Sequence, residues 1–323
     1  MNNDKKYFSD VCASHPMHYG KFGQLKKNMQ SIYQEKGEKW IADLPAIVDL
    51  VREHWKLIHV IPVENMTYHF VAKAEMESHQ KVVLKIGLDK KSIENEKKTL
   101  LFFNGKGSVK LLDFYEEYHA MLLDQIIPGY SLKSIYPAQF DFVIETYCKT
   151  MQKLHSRKLP YYHSFPHVHS WLAAIDHVSK DKLPQILIEK AIDLKNKLLS
   201  TLSNEKLLHG DLHHDNIIQD KNEWIIIDPK GVVGEVEFEA AAFDFMHIDE
   251  LANYKEAKEI MHSRIERLAK KAHLDPQRLM DWVYVRLILM AVWSVEDNGD
   301  PTSPINLASF LYNTASKNQA PRW

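Results

Sequence analysis

In the stretch His209-Gly210-Asp211-Leu212-His213-His214-Asp215-Asn216, a carboxylate and an amide stand five residues apart. An aspartate held on a loop can orient an attacking hydroxyl and accept its proton. An asparagine slightly later, entering a strand, can offer its carbonyl oxygen to a divalent cation. Downstream, the apolar run Trp224-Ile225-Ile226-Ile227 ends in Asp228-Pro229-Lys230-Gly231. A carboxylate closing a strand beside a tight turn suits the role of second ligand to the same cation. Upstream, Val82-Val83-Leu84-Lys85 ends a buried run in an ammonium, which can hold a phosphate as a point charge. Such a lysine needs a helix carboxylate to fix it. Glu96 is the first choice and Glu94 the second; two residues apart, they point to different helix faces, so one of them pairs.

The elements that must position these groups follow from periodicity. Trp40, Ile41, Leu44, Ile47, Val48, Val51 and Trp55 recur at helical spacing, with Pro45 expected to break or kink that helix. Residues 57–62, 67–74 and 82–86 read as strands, with a turn at 79–80. Ser92 is expected to cap a helix carrying Glu94, Glu96 and Leu100. Residues 108–114 and 120–127 read as two more strands, and Pro128-Gly129 as a breaker. Beyond it the pattern is mainly helical, over 140–155, 184–202 and much of 238–310. One hairpin interrupts it, pairing 216–219 with 224–227. Residues 1–30 are expected to form a loose arm or a peripheral helix. A strand-rich first third and a helical remainder predict two lobes with a cleft between them, a usual place for a ligand.

Composition narrows the partners. The chain has 323 residues, 45% of them apolar and 26% charged, with a formal net charge of −2. That is ample for a large core and gives no footprint of a nucleic-acid or polybasic membrane binder. Two cysteines, Cys12 and Cys148, are too few for a disulfide framework and read as reduced thiols. Residues 1–6 are polar and no apolar segment follows, so no secretory signal is expected. No stretch approaches the ~20 apolar residues of a membrane span. The expectation is a cytoplasmic protein, monomeric or weakly dimeric.

His-x-Asp-Leu-x-x-x-Asn resembles the catalytic loop of protein kinases, with Gly210 where they carry Arg. Asp228-Pro229-Lys230-Gly231 stands where they have Asp-Phe-Gly, and Val82-Val83-Leu84-Lys85 is similar to Val-Ala-Ile-Lys. Leu208 to Asn216, with Ile227-Asp228-Pro229-Lys230-Gly231-Val232-Val233-Gly234-Glu235, resembles the aminoglycoside/hydroxyurea resistance kinases, and in particular their streptomycin 6-phosphotransferase branch. Trp40-Ile41-Ala42-Asp43-Leu44-Pro45 and Trp293-Ser294-Val295-Glu296-Asp297 carry the likeness outward, to about residues 40–297. The resemblance implies an α+β, bilobal, protein-kinase-like fold: a small antiparallel-sheet N-lobe with a helical extension over 1–127, and a larger, mainly helical C-lobe over 128–323. It implies ATP and Mg²⁺ as cofactors, Asp211 as catalytic base, Asn216 and Asp228 as metal ligands and Lys85 on the α/β-phosphates. Asp124-Gln125-Ile126-Ile127 would hold adenine through the backbone. One departure stands out. The phosphate-covering loop should fall at Val63-Glu64-Asn65-Met66-Thr67-Tyr68, which contains no glycine; Asn65 and Thr67 are the candidates to help its amides.

The implied reaction moves the γ-phosphate of ATP to a hydroxyl of a small molecule. Between Val232 and Tyr254 lie Glu235, Glu237, Glu239, Asp244, Asp249 and Glu250 with no Lys or Arg, and Glu296, Asp297 and Asp300 add acid further on. Such charge would steer a cation, which suits an aminoglycoside such as streptomycin. Glu235, Glu239, Glu296 and Asp297 are the candidates to meet it. Other readings are a kinase for another hydroxylated metabolite, a nucleotide-binding pseudokinase, a protein kinase, and a zinc site at His209, Asp211, His213, His214 and Asp215. Intact Lys85, Asp211, Asn216 and Asp228 argue against the pseudokinase, and the residue order is wrong for zinc.

Overall fold

The computed structural model describes residues 22–179 and 181–312. The expectations for residues 1–21, Cys12 included, lie outside them. Helix α1 spans Gly23–Trp55. Pro45 does not break it, because Leu44 and Val48 on either side are buried against the sheet. The bend falls instead at Gln34 (φ 50°, ψ −129°), where the chain folds back on itself. There Gly37 lies so near the Met29 carbonyl that a Cβ would sit 2.1 Å from its oxygen.

The strands β1 (Leu57–Pro62), β2 (His69–Met76), β3 (Lys81–Gly87), β4 (Leu111–Tyr115) and β5 (Ala120–Asp124) form one antiparallel sheet in the order β1-β2-β3-β5-β4. Side chains alternate across it. Val82, Leu84 and Ile86 join Trp40, Val48, Val51 and Trp55 of α1 in one core, while Val83 faces a second, smaller cluster with Ile93 and Leu100. Lys85 shares the Val83 face, so the pleat aims it at helix α2 (Lys90–Phe103). That helix is capped by Asp89, whose carboxylate accepts from the Lys91 amide at 3.1 Å, rather than by Ser92. The strand expected over 120–127 stops at Asp124. Pro128–Ser131, expected only to break structure, forms β6.

The remainder is helical around a second core. Its helices are α3 (Phe140–His155), α4 (Val168–Leu172), α5 (Ala174–His177), α6 (Gln185–Leu199), α7 (Val236–Ala240), α8 (Tyr254–Ala272), α9 (Pro276–Glu296) and α10 (Thr302–Leu311). Trp282, Tyr284, Tyr147 and Phe238 are fully buried at its centre. Two small sheets hold the site segments. The expected hairpin is β8 (Ile217–Asp220) with β9 (Glu223–Ile226), and β6 joins its edge; β7 (Lys206–Leu208) pairs with β10 (Val232–Gly234). Antiparallel sheet first and helices after make this an α+β, bilobal, protein-kinase-like fold. Among the described residues no helix is long and apolar enough to cross a membrane.

Candidate active site

Lys85 is the hub on the sheet side. Its Nζ lies 2.7 and 2.8 Å from the two carboxylate oxygens of Glu96 and also bonds Asp228. Glu96, not Glu94, makes the pair: Glu96 lies on the inner face of α2, while Glu94 reaches Lys90 at 3.5 Å. Burial presses the Lys85 ammonium down to about 8, against the pull of Glu96. Burial pushes Glu96 up, but Lys85, His69 and Lys230 outweigh it and hold the carboxyl below its usual range. Both groups are therefore charged at neutral pH.

Asp228 closes β9's exit in the left-handed region, φ 60°, a conformation that costs an L-residue roughly 1–2 kcal/mol. The surroundings over-determine it. The Lys230 and Gly231 amides donate to the His209 carbonyl at 2.7 and 3.1 Å. Asn95 of α2 donates to the carbonyls of Lys230 and Gly231. Lys230 turns its own ammonium back to Asp228 at 2.7 Å. Gly231 is required here, since a Cβ would sit 1.8 Å from Thr99 Oγ1.

The loop carrying Asp211 is pinned from beneath. Glu239 is fully buried, and its carboxylate accepts from the amides of His209 (2.5 Å) and Gly210 (3.0 Å), with His155 at 3.4 Å. His209 donates from Nε2 to the Ile227 carbonyl (2.8 Å) and accepts the Asp211 amide at Nδ1 (3.1 Å). Burial lowers its pKa to about 4, so the neutral ring keeps both bonds. Arg286 of α9 reaches Asp211 Oδ1 at 3.0 Å, with its side chain 4% exposed against 38% for the aspartate. Burial raises Asp211, but Arg286 above all, then His213, Lys230 and His209, bring its carboxyl below the usual range. It is therefore ionised at neutral pH. Gly210 has φ 85°, and a Cβ there would meet Trp171 at 2.8 Å. No arginine fits at 210; the cation comes from α9 instead.

The donor set suits a divalent cation. Asn216 donates from Nδ2 to the Asp211 carbonyl at 2.8 Å, which fixes the amide and leaves Oδ1 as its acceptor. Asn216 Oδ1 and the Asp228 carboxylate, which Lys85 and Lys230 now engage, are hard oxygens of the kind a magnesium ion takes beside substrate phosphates, and could hold one.

Other candidates have mixed fates. Gln125 N–H is spent on the Lys81 carbonyl and the Ile127 carbonyl on the Lys221 N–H; Ile126 packs in the small cluster, and Asp124 ends β5. Asn65 and Thr67 are exposed on the loop, which Met66 anchors in the core. Glu235 and Glu239 do not face the cleft, contrary to expectation. Glu235 is 1% exposed and bound by Arg278 (2.7 and 2.8 Å) and by the Trp282 indole, while Glu239 is the peg described above. Glu250 is likewise taken, by Arg264. Glu296 and Asp297 are exposed at the end of α9. Arg286, Asn95 and the anchoring role of Glu239 have no local signal in the sequence. The one available hint was Gly210, which leaves a catalytic-loop cation to be found elsewhere.

Residues 54–298 match the family model described as aminoglycoside/hydroxyurea antibiotic resistance kinase. The streptomycin 6-kinase of Streptomyces glaucescens is 24% identical over 292 residues, covering 86% of this chain and 92% of the relative. Among solved structures, the choline kinase LicA of Streptococcus pneumoniae superposes with a TM-score of 0.61 at 14% identity, over 82% of this chain and 99% of its own. The aminoglycoside phosphotransferase APH(4)-Ia, in a ternary complex with ADP and hygromycin B, gives 0.61 at 12% identity, over 83% and 99%. The two solved structures share the fold. With three quarters of its length inside the family's bounds, this chain belongs to the aminoglycoside/hydroxyurea antibiotic resistance kinase family, enzymes that phosphorylate an alcohol group.

Proposed function

We propose that the protein transfers the γ-phosphate of Mg²⁺-bound ATP to a hydroxyl of a small cationic molecule, with streptomycin or a close relative as the first acceptor to consider. The observation that carries this reading is the convergence of Lys85, Glu96 and Asp228 on one side of the cleft with the ionised Asp211 on the other. Lys85, held by Glu96, contacts the α/β-phosphates. Asn216 and Asp228 would hold the magnesium, which would neutralise charge developing on the phosphates. To serve as a ligand, Asp228 would have to give up contacts it now makes with Lys85 and Lys230. Asp211, oriented by Arg286, takes the proton of the acceptor hydroxyl as that oxygen bonds to the γ-phosphorus and the bond from the γ-phosphorus to the β,γ-bridging oxygen breaks, releasing ADP. The free backbone groups of residues 124–127 receive adenine, and the loop at 63–68, with Asn65 and Thr67, covers the phosphates. The nucleotide lobe is assigned to residues 1–127 and the acceptor lobe to 128–323, in a cytoplasmic enzyme. Relatives named streptomycin 6-kinase support the acceptor class, as do the exposed Glu296 and Asp297.

Coupled ADP release with Mg·ATP across aminoglycosides, amino alcohols and neutral sugars tests this reading. Turnover that is largest with streptomycin is expected. Turnover confined to a neutral sugar contradicts the cationic acceptor, and ADP release with no panel member contradicts both acceptor classes.

A further inference from the structure

His69 opens β2, directly after the loop at 63–68, and has no part in the site built above. The strand register fixes its direction. In the β2–β3 pair Val71 stands opposite Lys85, and His69 stands opposite Gly87. Residues two apart share a face of a sheet. His69 and Val71 therefore lie on the Lys85 face, while Phe70 between them joins the core on the other side. Gly87 shows where the ring rests. A Cβ there would project to the Lys85 face and meet the His69 ring at 2.7 Å and Ile93 of α2 at 2.5 Å. Glycine at 87 leaves room for an imidazole against α2, and Ile93 is one turn before Glu96 on that helix.

The same register orders the groups along the cleft. Val82 pairs with Asp124, where the proposed adenine segment begins; Lys85 pairs with Met121, and Gly87 lies beyond. At about 3.3 Å per residue, Lys85 is about 10 Å from Val82 and the His69–Gly87 pair about 7 Å further on. A nucleotide with its base at 124–127 and its inner phosphates on Lys85 brings its outer phosphates toward His69.

The ring is equipped to meet them. It is partly buried, and among the described residues no group hydrogen-bonds its nitrogens. A desolvated polar group without a partner calls for one. Burial, then Lys85, hold its pKa at about 3. At neutral pH the ring therefore keeps one N–H to donate and adds no positive charge beside Lys85. The loop before it is held at a few points. Asn28, in the N-terminal arm of α1 ahead of the bend, donates to the Thr67 carbonyl at 3.1 Å; Val63 N–H donates to the Val71 carbonyl at 3.0 Å, and Met66 is buried. Without glycine the loop lacks the conformational freedom that brings backbone close to a ligand. A side-chain donor at its exit supplies the missing contact.

We propose that His69 donates its ring N–H to an oxygen of the nucleotide's outer phosphates, standing in for backbone amides of a glycine-rich loop. This rests on the nucleotide reading above and adds a phosphate-binding residue to it.

The test is calorimetric binding of Mg·ATP, and of AMP, which lacks the outer phosphates, to the full-length protein. Wild type is compared with His69→Phe, His69→Leu and His69→Gln, with thermal melts reporting folding. Phenylalanine and leucine remove the N–H, and the leucine variant carries the comparison if the phenylalanine variant does not fold. Glutamine keeps a donor. The wild type binds both nucleotides. Loss of the N–H weakens Mg·ATP by about tenfold and leaves AMP nearly unchanged, and His69→Gln recovers part of the Mg·ATP affinity. Equal Mg·ATP affinity in wild type and the folded variants overturns this assignment alone. Equal losses for Mg·ATP and AMP also overturn it, since a residue that only packs the sheet would weaken both. A wild type that binds no Mg·ATP overturns the nucleotide reading and this assignment with it.

Discussion

Across the cleft, the loop at 209–216 and the loop at 63–68 are held in different ways. The first is fixed from below by buried groups: Glu239 under the His209 and Gly210 amides, the neutral His209 ring between Asp211 and Ile227, and Arg286 on the carboxylate itself. The second is held at its ends by the strand pair, by the buried Met66 and by one side chain of the N-terminal arm. The difference follows from what each must do. The proton-accepting role proposed for Asp211 needs close positioning against its target, and a loop bolted to the core suits it. The phosphate-covering role proposed for residues 63–68 requires admitting and releasing nucleotide, which suits a loop held only at a few points.

The comparison breaks most readily at Glu239. Glu239→Ala leaves two buried amides without a partner, at roughly 1–3 kcal/mol each, so a drop in melting temperature and loss of activity together are expected. A melt unchanged from wild type would show that the loop is not pinned there. Arg286→Met removes one charge-assisted bond from Asp211, a loss of roughly 1.5–3 kcal/mol that corresponds to about 10–100-fold in kcat. Arg286→Lys is expected to recover part of it. A loss seen equally in nucleotide affinity would make Arg286 a general structural residue instead of an orienter of Asp211.

On the other side of the cleft the nucleotide grip proposed above leans on the charge of Lys85, since the loop at 63–68 contains no glycine. Burial holds Lys85 at about 8 in the free protein. Phosphates favour its charged form, so the pKa in the complex is higher than in the free state. Affinity for Mg·ATP is therefore fully present below about pH 8 and declines as pH rises through that value, approaching tenfold per unit, about 1.4 kcal/mol, until the bound-state pKa is reached. Calorimetry between pH 6.5 and 9.5 reads this directly; affinity flat across that range would remove Lys85 from the phosphates or its burial from the account.

Much of this was legible in the sequence, for physical reasons that particular residues make plain. The alternation of Val82 to Ile86 states which face Lys85 takes, and helical spacing separates Glu96 from Glu94. The Asp211–Asn216 and Asp228 segments are local, so their geometry is local too. What escaped is long-range. Arg286 stands 75 residues from Asp211, in a run of apolar residues within its helix. The acidic run after Val232 looked free because its partners, Arg264 and Arg278, lie beyond it. Pro45 is a visible defect that packing absorbs, whereas the actual bend falls at Gln34, beside a Gly37 whose need for close approach cannot be read from its neighbours.

The most direct test of the central claim is single-turnover phosphoryl transfer to streptomycin by wild-type protein and Asp211→Ala, with Mg·ATP affinity measured on the same samples. Loss of about 10²–10⁴-fold in the transfer rate, with nucleotide affinity kept, is the predicted result. Near-normal transfer by Asp211→Ala would contradict the assignment of Asp211 as the proton acceptor and with it the mechanism built around that loop.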